Sequence, residues 1–390
     1  MAIDPQEILE RLQRVLGEAP APLHEPRFAG HEWKYVKDCI DSGWVSSAGS
    51  YVREFEQQLA ALCGVPHAIA VVNGTAALHL AFVVAGVKPG DEVIIPALTF
   101  VATANAVAHA GATPHLADSD DASLGLDPVK LRLHLRAILR HDNGQAINRL
   151  TGRRIAAIVP MHTFGHPCDM DALARIAAEF GIPLIEDAAE SLGSTYRDRP
   201  CGSFGLISAL SFNGNKIVTA GGGGALLTSN AELAQRARHL STTAKLKHSW
   251  AFDHDEVAWN YRLPNLNAAL GCAQLEQLAD FLTAKRALAR QWQNAFDGMR
   301  GLKVFVPPAF AQSNHWLTAL ILDREEAHRR DAILELTNAS GATTRPVWKL
   351  MQDLPAFRDS PRMNLECAID LERRIINIPS SARHGMHHEP

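Results

Sequence analysis

Lys216 stands in the stretch "SFNGNKIVTAGGGGALL", Ser211 to Leu227, between two short apolar runs and just ahead of four consecutive glycines, Gly221 to Gly224. A lysine held at a strand end against apolar walls loses part of its proton affinity. It can then attack a carbonyl as a free amine. Glycines let the backbone turn sharply and pass close to a bound group. A solvated loop is the commoner place for a lysine. Three other constellations also follow an apolar run. In "VVNGTAALHL", Asn73, Gly74 and Thr75 open a helical pattern. The free N–H groups and partial positive charge of a helix start suit a phosphate, although an ordinary capped helix needs the same residues. In "IEDAAES", Asp187 ends an apolar run, with Glu190 three residues on. A shielded carboxylate there can pair with a protonated ring nitrogen, or simply cap a helix. In "LTFVATANA", Phe100 can stack on a planar ring or pack a helix on a sheet.

The elements that must position these residues are legible as a pattern. "HAIAVV", "DEVIIP", "RIAAIVPM", "IPLIED", "LISALSF" and "GGALLTS" read as strands, and helical patterns such as "TAALHLAFVVAG" and "MDALARIAAEFG" fall between them. Apolar runs without polar alternation predict strands buried on both faces. Strands alternating with helices predict a mostly parallel sheet covered by helices. Ligands of such sheets sit beyond the carboxyl ends of the strands, where the four constellations lie. From Asn265 the pattern changes to one long amphipathic helix, "NLNAALGCAQLEQLADFLTAKRALARQWQNAFDGM", followed by mixed strands and helices. We expect residues 1–264 to form an N-terminal segment and a large α/β domain. Residues 265–390 are expected to form a bridging helix and a smaller α+β domain.

Composition excludes several classes. A formal net charge of −4 gives no polyanion-binding surface, so no nucleic-acid partner is expected. No apolar run reaches the ~18–20 residues that span a bilayer. The N-terminus is amphipathic and acidic, unlike a signal peptide, with Asp4 as helix cap and Pro5 at the first helical position. The six cysteines form no C-x-x-C pair, so neither a zinc site nor a disulfide framework is expected, and a cytoplasmic location is. The histidines of the tail, His384, His387 and His388, read as a polar end rather than a metal site.

Taken in order, a phosphate-type helix start, an aromatic, an aspartate, a serine and a lysine describe a site for a phosphorylated pyridine aldehyde. Pyridoxal phosphate needs each part. Neither dinucleotide nor P-loop glycine fingerprint is present. The chain resembles the DegT/DnrJ/EryC1/StrS family of sugar aminotransferases over about Glu25 to Ser381. "GWVSSAGSYVREFE", "NGTAALHLAF", "TFVATANAV", "EDAAESLGS", "SFNGNKIVTAGGGGALL" and "NYRLPNLNAALGCAQLEQL" carry the likeness in order. "STTAKLKHSWAFDHDEVAWNYR", "TTRPVWKLMQDLP" and "ERRIINIPSSA" resemble the LegC-like branch, which aminates C4 of nucleotide-linked 4-keto-6-deoxy-N-acetylhexosamines in legionaminic acid and bacillosamine-type pathways.

The resemblance implies a fold type I aminotransferase with a mostly parallel seven-stranded sheet, L-glutamate as amino donor and a homodimer with shared active sites. It implies that Lys216 bonds the cofactor's aldehyde, Asp187 pairs with the ring nitrogen and Phe100 stacks on the ring. Gly74, Thr75 and Ser211 would hold the phosphate, and Asn260 would reach the phosphate of the neighbouring subunit. Glu190 lies near the ring hydroxyl, where many relatives carry histidine or glutamine. Basic and amide donors for a substrate diphosphate are sought in Lys245, Lys247, His248, Arg262, Arg345 and Trp348; Arg262 can equally cap a helix. Within the family, a C3 aminotransferase or a dehydratase holding pyridoxamine phosphate is the alternative; dehydratases of this kind carry histidine in place of the lysine. A non-catalytic regulator with a vestigial site is the alternative from another class.

Overall fold

The computed structural model describes residues 3–17 and 20–386, so His387 and His388 lie outside the described residues. Strands β1 (His67–Val71), β2 (Glu92–Pro96) and β3 (Thr113–Ala117) are followed by a hairpin, β4 (Leu139–Asp142) and β5 (Gln145–Asn148). Next come β6 (Ile155–Ile158), β7 (Ile185–Asp187), the short pair β8 (Thr195–Tyr196) and β9 (Arg199–Pro200), β10 (Ile207–Ser211) and β11 (Gly224–Thr228). Ladders join β1-β11-β10-β7 and β6-β2-β3, and parallel bridges Ile158–Leu184 and Met161–Asp187 join the two groups. The result is the expected seven-stranded sheet, parallel except for β11, which runs antiparallel to both neighbours. That exception matters: the turn returning from β10 to β11 is the segment that bears Lys216.

The central strands are buried along their length, as their unbroken apolar runs predict. Helices α4 (Gly74–Val84) and α5 (Val101–His109) cover one region of the sheet, and α6 (Pro128–Ile138) and α7 (Met170–Phe180) another. Strand β3 is absent from the apolar-run reading because Pro114 and His115 interrupt it. It is an edge strand, where proline is tolerated.

A second sheet, β12 (Leu302–Val304), β14 (Thr318–Leu322), β16 (Ile375–Ile378) and β15 (Arg345–Pro346), is antiparallel throughout. The single long helix expected from Asn265 is two helices, α9 (Asn265–Leu275) and α10 (Leu278–Phe296). The break falls at Glu276 and Gln277. There Glu276 is drawn to His31 and Tyr35, and Gln277 to Glu32, all on or beside α2 (Glu32–Ser42). The N-terminal helix α1 (Pro5–Leu16) has Asp4 as its cap, accepting from Gln6 N–H, and Pro5 at its start. Its Ile8, Leu9 and Leu12 share a core with Leu288, Trp292 and Phe296 of α10. Among the described residues no helix is long and apolar enough to cross a membrane.

Trp292 is wholly buried in this second core, and its indole N–H donates to the Pro379 carbonyl at 3.1 Å. Trp292→Ala should cost about 3–5 kcal/mol in urea unfolding, by lost burial plus the cavity left behind. A loss below ~1 kcal/mol would contradict this packing.

Candidate active site

The carboxyl ends of β1, β7 and β10 meet at one place. Asn73 caps α4, its side chain accepting from Ala76 N–H at 2.8 Å, so the helix opens at Gly74 directly after β1. Gly74 lies so close to β10 that a Cβ there would sit 2.8 Å from Ser211 Cβ. Gly224 packs against the Asn73 backbone in the same way. Gly221 and Gly223, at φ 74° and 153°, adopt backbone angles that side-chain-bearing residues avoid. The glycine run therefore folds the chain back from β10 to β11 while leaving no side chain over the start of α4.

Asp187 ends β7 and is 3% exposed. Its Oδ2 accepts from Thr103 Oγ1 at 2.7 Å and its Oδ1 from Ala189 N–H at 3.3 Å. Burial pushes its carboxyl up, with Thr103, Ala189 and Lys216 opposing. Glu190, also 3% exposed, places Oε1 3.2 Å from Lys216 Nζ, and its Oε2 accepts from Phe164 N–H at 2.9 Å. Burial pushes the Glu190 carboxyl up to about 7 against the pull of Lys216. Phe164 makes that bond from a left-handed backbone, φ 56°, unusual for an aromatic residue. Lys216 Nζ also lies 3.9 Å from the centroid of the Trp316 ring.

These groups enclose a cavity of about 330 Å³, which Gly74, Thr75, Phe100, Asp187, Glu190, Ser211, Lys216 and Trp348 all line. Phe100 is half exposed at its wall and meets Trp348 edge to face at 6.1 Å; Trp348 in turn meets Phe164 at 5.2 Å. Sequence reading missed Thr103 and Trp316. Thr103 sits within the quoted "TFVATANAV" and could have been found as a residue one turn past Phe100. Trp316 belongs to "HWLTALILD", which signals only a strand.

Six sequence candidates lie outside this cavity in the single chain. Lys245, Lys247, His248 and Asn260 are exposed. Lys245 rests on Phe252, and His248 Nδ1 accepts from Trp250 and Ala251 N–H. Arg262 bridges its backbone to Val71, and Arg345 donates to Asn338 and the Thr344 carbonyl on the small sheet.

The raised Glu190 carboxyl has a consequence for stability. Between its ordinary value of 4.5 and about 7, the folded chain binds a proton that the unfolded chain has released. That contribution is complete below the lower value and is lost as pH rises through the upper one. Cofactor-free protein should therefore gain from Glu190→Gln as the pH rises from about 4 to 8, an interval spanning that window. Thermal melts of both proteins across it check this; parallel melting curves would contradict it.

The residues present fit pyridoxal phosphate. A glycine helix start whose neighbouring serine a Cβ would strike, a buried carboxylate short of a cation, and a sheltered lysine line one cavity. The family model for the DegT/DnrJ/EryC1/StrS aminotransferase family matches residues 26–389. GDP-perosamine synthase of Caulobacter vibrioides is 36% identical over 363 residues, 92% of each chain. The structure of DesI with its TDP-sugar product is similar with a TM-score of 0.81 and 29% identity, covering 95% of this chain and 91% of that one. A family aminotransferase from Brucella abortus is similar with a TM-score of 0.82 and 28% identity, covering 92% and 91%. The chain therefore belongs to the DegT/DnrJ/EryC1/StrS aminotransferase family and is a pyridoxal phosphate-dependent aminotransferase.

Proposed function

We propose that this protein moves the amino group of L-glutamate to the C4 keto carbon of a nucleotide-linked 4-keto-6-deoxy sugar, an N-acetylhexosamine or a plain hexose, in the making of a surface-glycan amino sugar. The observation that carries this is Lys216 Nζ inside the cavity beside Glu190, with Asp187 on the same floor. The sugar-nucleotide part is supported by two relatives' names, a GDP-perosamine synthase and an enzyme with a TDP-sugar product. Legionaminic acid and bacillosamine-type products are kept as candidates on the motif likeness.

The cofactor, when bound, supplies a ring that draws electrons from the carbon being deprotonated. The chain's own residues do the rest. Lys216 Nζ takes the proton from the α-carbon of glutamate; water supplies the keto oxygen as 2-oxoglutarate leaves, and the amino group would stay with the cofactor. In the second half it returns a proton to complete amination of the keto sugar. Asp187, buried and acceptor-only when ionised, holds a proton on the ring nitrogen. Gly74, Thr75 and Ser211 hold the phosphate at the helix start. Glu190 binds beside the ring hydroxyl and keeps Lys216 aimed inward. Phe100 covers the ring, and with Trp348 forms an apolar wall for the sugar.

The cavity is completed by a second copy in this reading. The arm from Lys245 to Asn260 is exposed and carries Trp250, Phe252 and Val257 at 80%, 76% and 90% exposure. In a homodimer this arm buries those apolar side chains and brings Asn260, with Lys247 and His248, to the partner's phosphate groups. Lys245 stays in this set, while Arg262 and Arg345 stand as substrate candidates on their charge alone. Six free cysteines, five of them buried, suit the cytoplasm. A lysine at position 216 favours an aminotransferase over a dehydratase.

Lys216→Ala should abolish both half-reactions, at least about a 10³-fold loss, while leaving the fold intact. Wild-type protein given glutamate and a panel of UDP-, GDP- and TDP-linked keto sugars should yield a 4-amino sugar, read by mass and NMR. Normal turnover by Lys216→Ala, or amination at C3 alone, would overturn the respective assignment.

A further inference from the structure

Trp316 is held more firmly than packing requires. Its indole Nε1 donates to the carbonyl of Asn215 at 2.7 Å, the residue just before Lys216. Its backbone N–H donates to Asn314 Oδ1 at 2.8 Å, and Asn314 Nδ2 donates to the Glu190 carbonyl at 2.8 Å. Its carbonyl accepts from Lys285 Nζ at 3.1 Å. Lys285 is 1% exposed and also donates to the Ser380 carbonyl. Burial pulls the Lys285 amine down to about 7. A buried lysine, an asparagine and the loop of Lys216 itself thus fix one aromatic ring. The face of that ring lies 3.9 Å from Lys216 Nζ, a side chain only 12% exposed.

A ring face carries negative partial charge and attracts a cation, more strongly when water is excluded. It offers nothing of the kind to a neutral amine. We propose that Trp316 is a positioning residue for Lys216, its π face holding the ammonium form of the lysine inside the cavity whenever the amine is not bonded to cofactor. This rests on the reading of Lys216 as the amine that bonds the cofactor. After Lys216 takes a proton from substrate it is a cation, and a cation released toward solvent would not be in place to return that proton. Glu190 Oε1, at 3.2 Å, contacts the same ammonium. Asp187 and His24 also lie within reach of the Lys216 charge. His24 lies 6.5 Å from the Trp316 ring and is kept neutral by burial and by Lys285 and Lys216. Glu190 and the indole therefore bracket the ammonium, and His24 cannot replace either.

The test uses the full chain stripped of cofactor, in wild type, Trp316→Phe and Trp316→Leu. Pyridoxal phosphate is added and the rate of yellow colour formation is followed from about pH 6 to 10, the range over which a lysine amine loses its proton. Colour forms only with the neutral amine, so the midpoint of the rate profile reports how well the site holds the ammonium. Leucine keeps an apolar wall and has no π face. Its midpoint should fall by about one pH unit, tenfold in proton affinity, whereas phenylalanine should stay within ~0.3 unit of wild type. Replacing tryptophan by 5-fluorotryptophan throughout weakens the π face at nearly constant shape and should lower the midpoint too, which covers a leucine variant that does not fold. An unmoved midpoint in the folded leucine variant, or in the fluorinated protein, overturns the proposal. Equal shifts in the phenylalanine and leucine variants overturn it as well, since they assign the effect to the lost Asn215 bond. Borohydride trapping and peptide mapping of the wild type separate the two claims: a label elsewhere than Lys216 removes the underlying reading, while a label on Lys216 with no shift removes only this one.

Discussion

Two buried carboxylates share one amine. Asp187 and Glu190 are each 3% exposed, and the Lys216 ammonium sits 3.2 Å from Glu190. Ionising both carboxylates leaves a negative charge without a partner in a medium that solvates it poorly. The directions of their acidities express this: burial drives both up, and Glu190 reaches about 7. The pocket is therefore incomplete as a set of charges. A protonated ring nitrogen against Asp187 would complete it, and the same act would free Lys216 and Glu190 to deal with each other. Cofactor binding and charge balance are one requirement in this view.

The rest of the fold serves that requirement. A parallel sheet delivers the ends of β1, β7 and β10 to one edge, and the antiparallel return into β11 swings Lys216 across them. Glycines at 74 and 224 let these ends touch where a side chain would force them apart. The second sheet contributes through Trp316, which enters β14 and is tied to α10 by Lys285. The two sheets thus meet at the lysine.

How much of this is legible in the sequence depends on the range of the interaction. Elements whose signal is local are readable: buried strands as apolar runs, the Asn73 cap and Gly74, Asp187 at the end of its strand, the Asp4–Pro5 helix start. Elements that depend on distant partners are not. The break between α9 and α10 has no proline or glycine; at it Glu276 and Gln277 bond side chains more than two hundred positions earlier. Trp316 looks like any strand aromatic until the fold places it under Lys216. Thr103 lay within a recognised motif, but its bond to Asp187 spans 84 positions and follows only from strand order. The substrate candidates chosen for their charge, such as Arg345 on β15, fall outside the single-chain cavity, because a basic side chain carries no information on which way the fold turns it.

The most direct measurement of the central claim is the ¹⁵N NMR signal of ring-labelled pyridoxal phosphate bound to the wild-type enzyme and to Asp187→Asn. A nitrogen that stays protonated across neutral pH in the wild type, and loses its proton in the variant, is the predicted result. An unprotonated nitrogen in the wild type, indistinguishable from that of Asp187→Asn, would contradict the account.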